Sequence, residues 1–96
     1  MEHKVEIEYG GANLCLSLSW QEKQSERIEA SLLINGILRD KIESTKGSTT
    51  LRLSSAVQTE YEWHEFIEAI IDFNTNNITA SILASKAVLK EEIIEL

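Results

Sequence analysis

Residues 59–74 read Thr-Glu-Tyr-Glu-Trp-His-Glu-Phe-Ile-Glu-Ala-Ile-Ile-Asp-Phe-Asn. The period assigned to this stretch decides the fold. Trp63, Phe66, Ile67, Ile70, Ile71 and Phe73 follow helical spacing and share one side of a helical wheel. Val57 falls off that stripe, so the helix is predicted to start after it. Thr59 followed three residues later by Glu62 has the form of a capping box. Asn74-Thr75-Asn76-Asn77 supplies the stop. Downstream, Ile78, Ile82, Leu89, Ile93 and Leu96 make a second helical stripe, with a short strand over Ile78 to Leu83 as the alternative.

Upstream the period is two. Val5, Ile7 and Tyr9 alternate with charged residues, and Leu14, Leu16, Leu18 and Trp20 alternate with Asn13, Cys15, Ser17 and Ser19. Gly10-Gly11 between them suits a two-residue hairpin that sets Val5 opposite Leu16 and Ile7 opposite Leu14. Ile28, Ala30 and Leu32 mark a third strand. Asn35-Gly36 marks the next turn. A three-residue loop closed by Gly36 as a G1 bulge pairs Leu32 with Leu38 and Ile28 with Ile42. It also sets Glu29 against Lys41 and Arg27 against Glu43, and opposite charges across a ladder favour that register. Leu51, Leu53 and Val57 give a fifth strand. The expected fold is α+β: an antiparallel meander of about five strands with one or two C-terminal helices packed on one face.

The chain has 96 residues, which fits a single domain over 1–96 and leaves no room for a repeat array. Its 43% hydrophobic content is enough for a core. The apolar runs are too short for a membrane-spanning helix, and the N-terminal stretch lacks the apolar core of a secretory signal. A single cysteine, Cys15, excludes an internal disulfide. These features together lead to an expectation of a cytoplasmic protein.

The net charge is −7, and it is unevenly placed. Residues 53–85 contain no Lys or Arg but carry Glu60, Glu62, Glu65, Glu68 and Asp72. Such a segment does not bind phosphates, so neither nucleic acid nor an anionic membrane is an expected partner. A larger protein with a basic surface is. On the expected helix Glu65, Glu68 and Asp72 fall at i, i+3 and i+7 beside Tyr61, opposite the apolar stripe. Tyr61, Glu65, Glu68 and Asp72 are therefore the candidate partner-binding residues. A solvated acidic face is the competing account of the same charges.

No phosphate-binding loop, nucleophile elbow or zinc-protease motif occurs. Glu60, His64 and Glu68 share a helix flank at i, i+4 and i+8, but two carboxylates and one imidazole on a surface make an open, weak metal site. Cys15 lies opposite Glu6 in the predicted hairpin, which opposes thiolate formation. Trp20 and Trp63 sit on apolar rows and are expected in the core. The outer sheet face is mixed in charge, with Leu33 and Ile37 as a small apolar spot. No cofactor, metal or catalytic residue is expected.

In size, acidity and strand-then-helix order the whole chain resembles bacterial toxin-immunity proteins. It is similar also to phage-encoded inhibitors of nucleic-acid-targeting defence systems, anti-CRISPR proteins included. The resemblance implies a non-enzymatic inhibitor that presents carboxylates where a basic partner binds phosphates. The alternatives are a self-assembling structural module and a small-ligand binder or sequestering protein acting as a dimer.

Overall fold

The computed structural model describes residues 2–20, 27–45, 50–58, 64–74 and 76–95. These form eight strands: β1 (Glu2–Tyr9), β2 (Ala12–Trp20), β3 (Arg27–Ile34), β4 (Ile37–Thr45), β5 (Thr50–Gln58), β6 (His64–Phe73), β7 (Asn77–Ala84) and β8 (Ala87–Glu95). They build two antiparallel meanders, β1-β2-β3-β4 and β5-β6-β7-β8, whose inner faces share one apolar core.

The α+β expectation is thus overturned: the described residues contain no helix, and both C-terminal segments read as helices are strands. In β6, Ile67, Ala69 and Ile71 point into the core and are fully covered, while Phe66, Glu68, Ile70 and Asp72 point out. Apolar residues therefore occupy both faces. Phe66 and Ile70 from the outside, interleaved with Ile67 and Ile71 from the inside, imitate a 3.6-residue period. The β-branched content favours the strand once β5 offers a ladder edge. Thr59, Tyr61, Glu62 and Trp63 lie outside the described residues, so the expected cap has no counterpart in this description.

The first hairpin follows the predicted register, with Val5 opposite Leu16 and Ile7 opposite Leu14. The Asn35-Gly36 hairpin does not. Ile34 pairs with Ile37 and Leu33 with Leu38, and the ladder then shifts between Leu32 and Leu33, so that Leu32 faces Asp40 and Glu29 faces Glu43. Asn35 and Gly36 both hold positive φ, 53° and 77°, which is the two-residue type I′ turn. The extra residue sits beyond the turn, at Arg39, rather than within it. The charges still meet, as diagonal neighbours: Lys41 Nζ lies 2.9 Å from Glu29 and the Arg27 guanidinium 3.7 Å from Glu43.

The second meander repeats the first. The inward row Val5–Leu16–Leu32–Asp40 has the counterpart Leu53–Ala69–Ile82–Lys90. The row His3–Leu18–Ala30–Ile42 corresponds to Leu51–Ile71–Ala80–Glu92 in the same way. The β7–β8 ladder has its own shift between Ile82 and Leu83, and its turn residues Ser85 and Lys86 hold φ of 47° and 70°. The expectation that the length leaves no room for a repeat is corrected to this extent: a four-strand unit occurs twice.

Among the described residues the sheets are not joined by main-chain ladders, and side chains bridge their edges. Between β4 and β5, Asp40 Oδ2 accepts the Ser54 amide at 3.0 Å, and the Arg39 guanidinium donates to the Ala56 carbonyl at 2.9 Å. Between β8 and β1, Lys90 Nζ donates to the Glu6 carbonyl at 3.0 Å. Asp40 and Lys90 are equivalent in the two repeats, as are Ser54 and Glu6, so the same position closes each seam with opposite polarity. Among the described residues no helix is long and apolar enough to cross a membrane.

Candidate functional site

A strand splits what a helix would have gathered. Glu68 and Asp72 emerge on the outer face of β6, about 13 Å apart at ~3.3 Å per residue. Glu65 belongs to the opposite face. Its two carboxylate oxygens accept the Tyr9 hydroxyl at 3.3 Å and the Ser85 hydroxyl at 2.6 Å, so it fastens the start of β6 to β1 and to the β7–β8 turn. Burial and the Glu65 charge together raise the Tyr9 pKa. Tyr61 lies outside the described residues. Of the three described members of the stripe, Glu68 and Asp72 share a face and Glu65 does not.

Neither survivor is bare. Asp72 accepts the Thr50 hydroxyl at 2.8 Å across the β5–β6 ladder. Glu68 is 15% exposed and sits 3.7 Å from the Arg52 guanidinium. Like-charge repulsion along a helix does not apply to them. Glu60 of the Glu60-His64-Glu68 flank lies outside the described residues, and no group of three metal-ligating side chains exists among the described ones. Cys15 is buried on the outer face of β2, opposite Glu6; burial first, and then the Glu6 carboxylate, raise its pKa. His3 Nε2 lies 3.7 Å from Glu92 Oε1 and has no hydrogen-bond partner.

The repeat supplies an internal comparison for the two outer faces. On the first sheet, the outward cations are each matched by a carboxylate: Lys4 with Glu2 at 3.6 Å, Arg27 with Glu43 and Lys41 with Glu29. Polar Asn13, Ser17 and Ser19 fill its middle. On the second sheet the equivalents of Asn13, Ser17 and Glu43 are Phe66, Ile70 and Ile93. Phe66, Val88 and Ile93 are 48%, 57% and 62% exposed. Around them stand Glu68, Asp72, Glu91 and Glu95, with Arg52 the one outward cation among the described strand residues of this sheet. The two faces differ little in net charge: three cations against Glu2, Glu6, Glu8, Glu29 and Glu43 on the first, one against four on the second. What distinguishes the second face is its exposed apolar surface, Phe66, Val88 and Ile93, beside carboxylates. Ile37 and Leu38, also exposed, lie at the tip of the first sheet's last hairpin. Sequence reading missed the apolar part of this face because it placed Phe66 and Ile70 in the core.

The site thus defines a class: a small two-sheet β protein with a shared apolar core and, on the second sheet, an outer face that carries exposed apolar residues beside carboxylates. No family model, curated protein or solved structure matches the chain.

Proposed function

We propose that this chain is a non-enzymatic binding protein that neutralises a larger, basic, nucleic-acid-handling protein, in the manner of a phage anti-defence or anti-CRISPR protein or a toxin-immunity protein. The observation that supports it is the placement of Asp72, Glu91 and Glu95 on one outer face where Arg52, the one outward cation among the described strand residues of this sheet, is engaged with Glu68; Lys86 stands exposed in the β7–β8 turn. Carboxylates presented in this way compete for Lys and Arg side chains that otherwise hold phosphates. The shared core is built mainly from aliphatic side chains, with Trp20 in it and Tyr9 and Phe73 packed against it. Action in the cytoplasm, where nucleic-acid-handling enzymes and toxins act, belongs to this proposal.

The test is capture from host lysate at low and at raised salt, followed by a nucleic-acid-binding assay on the captured protein. The expected result is a basic protein whose hold on nucleic acid is lost when the chain is added. Binding and inhibition should weaken as salt rises toward a Debye length of about 8 Å and below. Capture dominated by acidic or neutral proteins, or inhibition indifferent to both salt and an Asp72→Lys/Glu91→Lys variant, would count against it.

A further inference from the structure

Phe66 is the residue that the repeat leaves unexplained. Its main chain is used as Asn13's is: the Phe66 carbonyl accepts the Ser85 amide at 2.9 Å, just as the Asn13 carbonyl accepts the Asn35 amide at 2.8 Å. Nothing in that backbone role calls for an aromatic ring, since a polar asparagine fills it in the first sheet. The ring stands outward and nearly half exposed. It is diagonal to Leu83, whose ladder partner is the exposed Val88. Aromatic residues on a half-wet surface are what interface centres are enriched in, whereas an isolated aliphatic is common on any surface.

We propose that the outer face of β6, β7 and β8 is a docking surface for a basic protein segment that places an apolar side chain against Phe66, Leu83 and Val88 and its Lys or Arg side chains over Asp72 and Glu91. This rests on the reading of the chain as a neutraliser of a basic protein, and adds the site and the local chemistry of the partner. Charge complementarity selects the occupant. A second copy would bring its own Asp72, Glu91 and Glu95 against the same face. A basic segment meets carboxylates whose one outward cation among the described strand residues, Arg52, is already engaged by Glu68. The apolar centre and acidic rim divide the roles: Phe66 and Val88 set how long the complex lasts, and the rim sets how fast it forms and how it responds to salt.

The experiment uses the full chain labelled with nitrogen-15 and two synthetic peptides of equal length. One alternates lysine and leucine with a central tryptophan; the other is polylysine. The alternating peptide should shift the amides of Phe66, Glu68, Leu83, Val88 and Glu91, and polylysine should bind the same face more weakly. Phe66→Ala should weaken the alternating peptide about tenfold, as for an interface anchor. Val88→Lys should weaken it too, and both changes lie on the exposed face. Leu38→Ala, at the equivalent position of the first sheet, should leave affinity unchanged. Shifts centred on Leu33 and Leu38, unchanged affinity in Phe66→Ala, or a concentration-dependent dimer that Phe66→Ala dissolves would each overturn the site. None of these would touch the capture result, which decides separately whether a basic protein is the partner at all.

Discussion

The amide of Asn35 donates to the carbonyl of Asn13 at 2.8 Å, tying the tip of the β3–β4 hairpin to the start of β2. The same bond recurs from Ser85 to Phe66 at 2.9 Å. Asn35 adds a second bond that Ser85 does not supply, accepting the Asn13 amide on its side-chain oxygen at 2.8 Å. Two hairpins of one geometry are thus closed by different residues, and the difference has a measurable cost.

In the first hairpin Gly36 carries a φ of 77°, and a Cβ built there meets nothing within 4 Å. Gly36→Ala is therefore expected to destabilise by backbone strain alone, by about 1–2 kcal/mol. In the second hairpin Lys86 already bears that strain at a φ of 70°. Lys86→Gly is expected to stabilise by about 1 kcal/mol. Denaturant unfolding of both variants checks the pair; a loss of stability in Lys86→Gly would show that its side chain is held by something stronger than the strain.

The hidden repeat also predicts matched core costs. Leu32 and Ile82 occupy equivalent positions, and both are fully covered. Leu32→Ala and Ile82→Ala should each cost about 2–5 kcal/mol, since each leaves a cavity in the same inter-sheet layer. They should unfold the chain in one transition, because the residues of both sheets form a single cluster. Separate transitions reported by tryptophan fluorescence, from Trp20 and Trp63 together, and by far-ultraviolet dichroism would contradict a shared core.

Much of the first sheet was legible in the chain, because Gly10-Gly11 and strict alternation leave one register that buries both apolar rows. The second sheet was not, for a physical reason that Phe66 and Ile70 make plain: outward apolar side chains destroy the alternation by which a strand is recognised. One signal could have recovered it. Ile28, Ala30, Ser31 and Leu33 recur as Ile78, Ala80, Ser81 and Leu83, each fifty positions later. A chain that reads as a strand at the first set should read as one at the second. The candidate site suffered from the same error. Glu65 and Glu68 share a side of a helix but stand on opposite faces of a strand, and the exposed aromatic between them was assigned to the core. The Arg39 bulge was hidden differently. Glu29–Lys41 and Arg27–Glu43 attract each other as well across a diagonal as directly, so charge agreement did not fix the register.

The β4–β5 seam rests on two side chains. Asp40 accepts its neighbour's amide, Lys41, at 2.9 Å as well as that of Ser54, and Arg39 Nε donates to the Ser55 hydroxyl at 3.1 Å besides reaching the Ala56 carbonyl. Asp40→Ala should cost about 0.5–1.5 kcal/mol, the net worth of an exposed hydrogen-bonded acceptor. It should also speed amide exchange at Ser54, whose donor loses its partner. Unchanged exchange at Ser54 would mean that the seam is closed by the core alone.

Alkaline pH is expected to loosen the fold in a defined order. Cys15, Tyr9 and Lys41 all have pKa values raised above their ordinary values of 9.0, 10.0 and 10.5. For Cys15 and Tyr9 the fold favours the neutral form, through burial first and then Glu6 or Glu65; for Lys41 it favours the cation, through the hydrogen bond and charge of Glu29. The sign is the same in all three cases. Each contribution is complete below the unfolded pKa and is lost as pH rises through the folded one, because the unfolded chain releases its proton first. The denaturation midpoint should therefore be flat between about pH 7 and 8 and fall above about pH 8, where unfolded thiols begin to ionise. Cys15→Ala should remove the earliest part of that fall and leave the later part, which belongs to Tyr9 and Lys41. Glu65→Gln should shrink the Tyr9 portion, since it removes the charge that opposes the phenolate while keeping an acceptor for the hydroxyl. Thiol labelling gives an independent reading: Cys15 should react far more slowly at pH 8 than a free thiol does, and should gain reactivity only as the fold opens. Rapid labelling of the folded chain at that pH, with a midpoint that does not fall above about pH 8, would contradict both the burial of Cys15 and its pairing with Glu6.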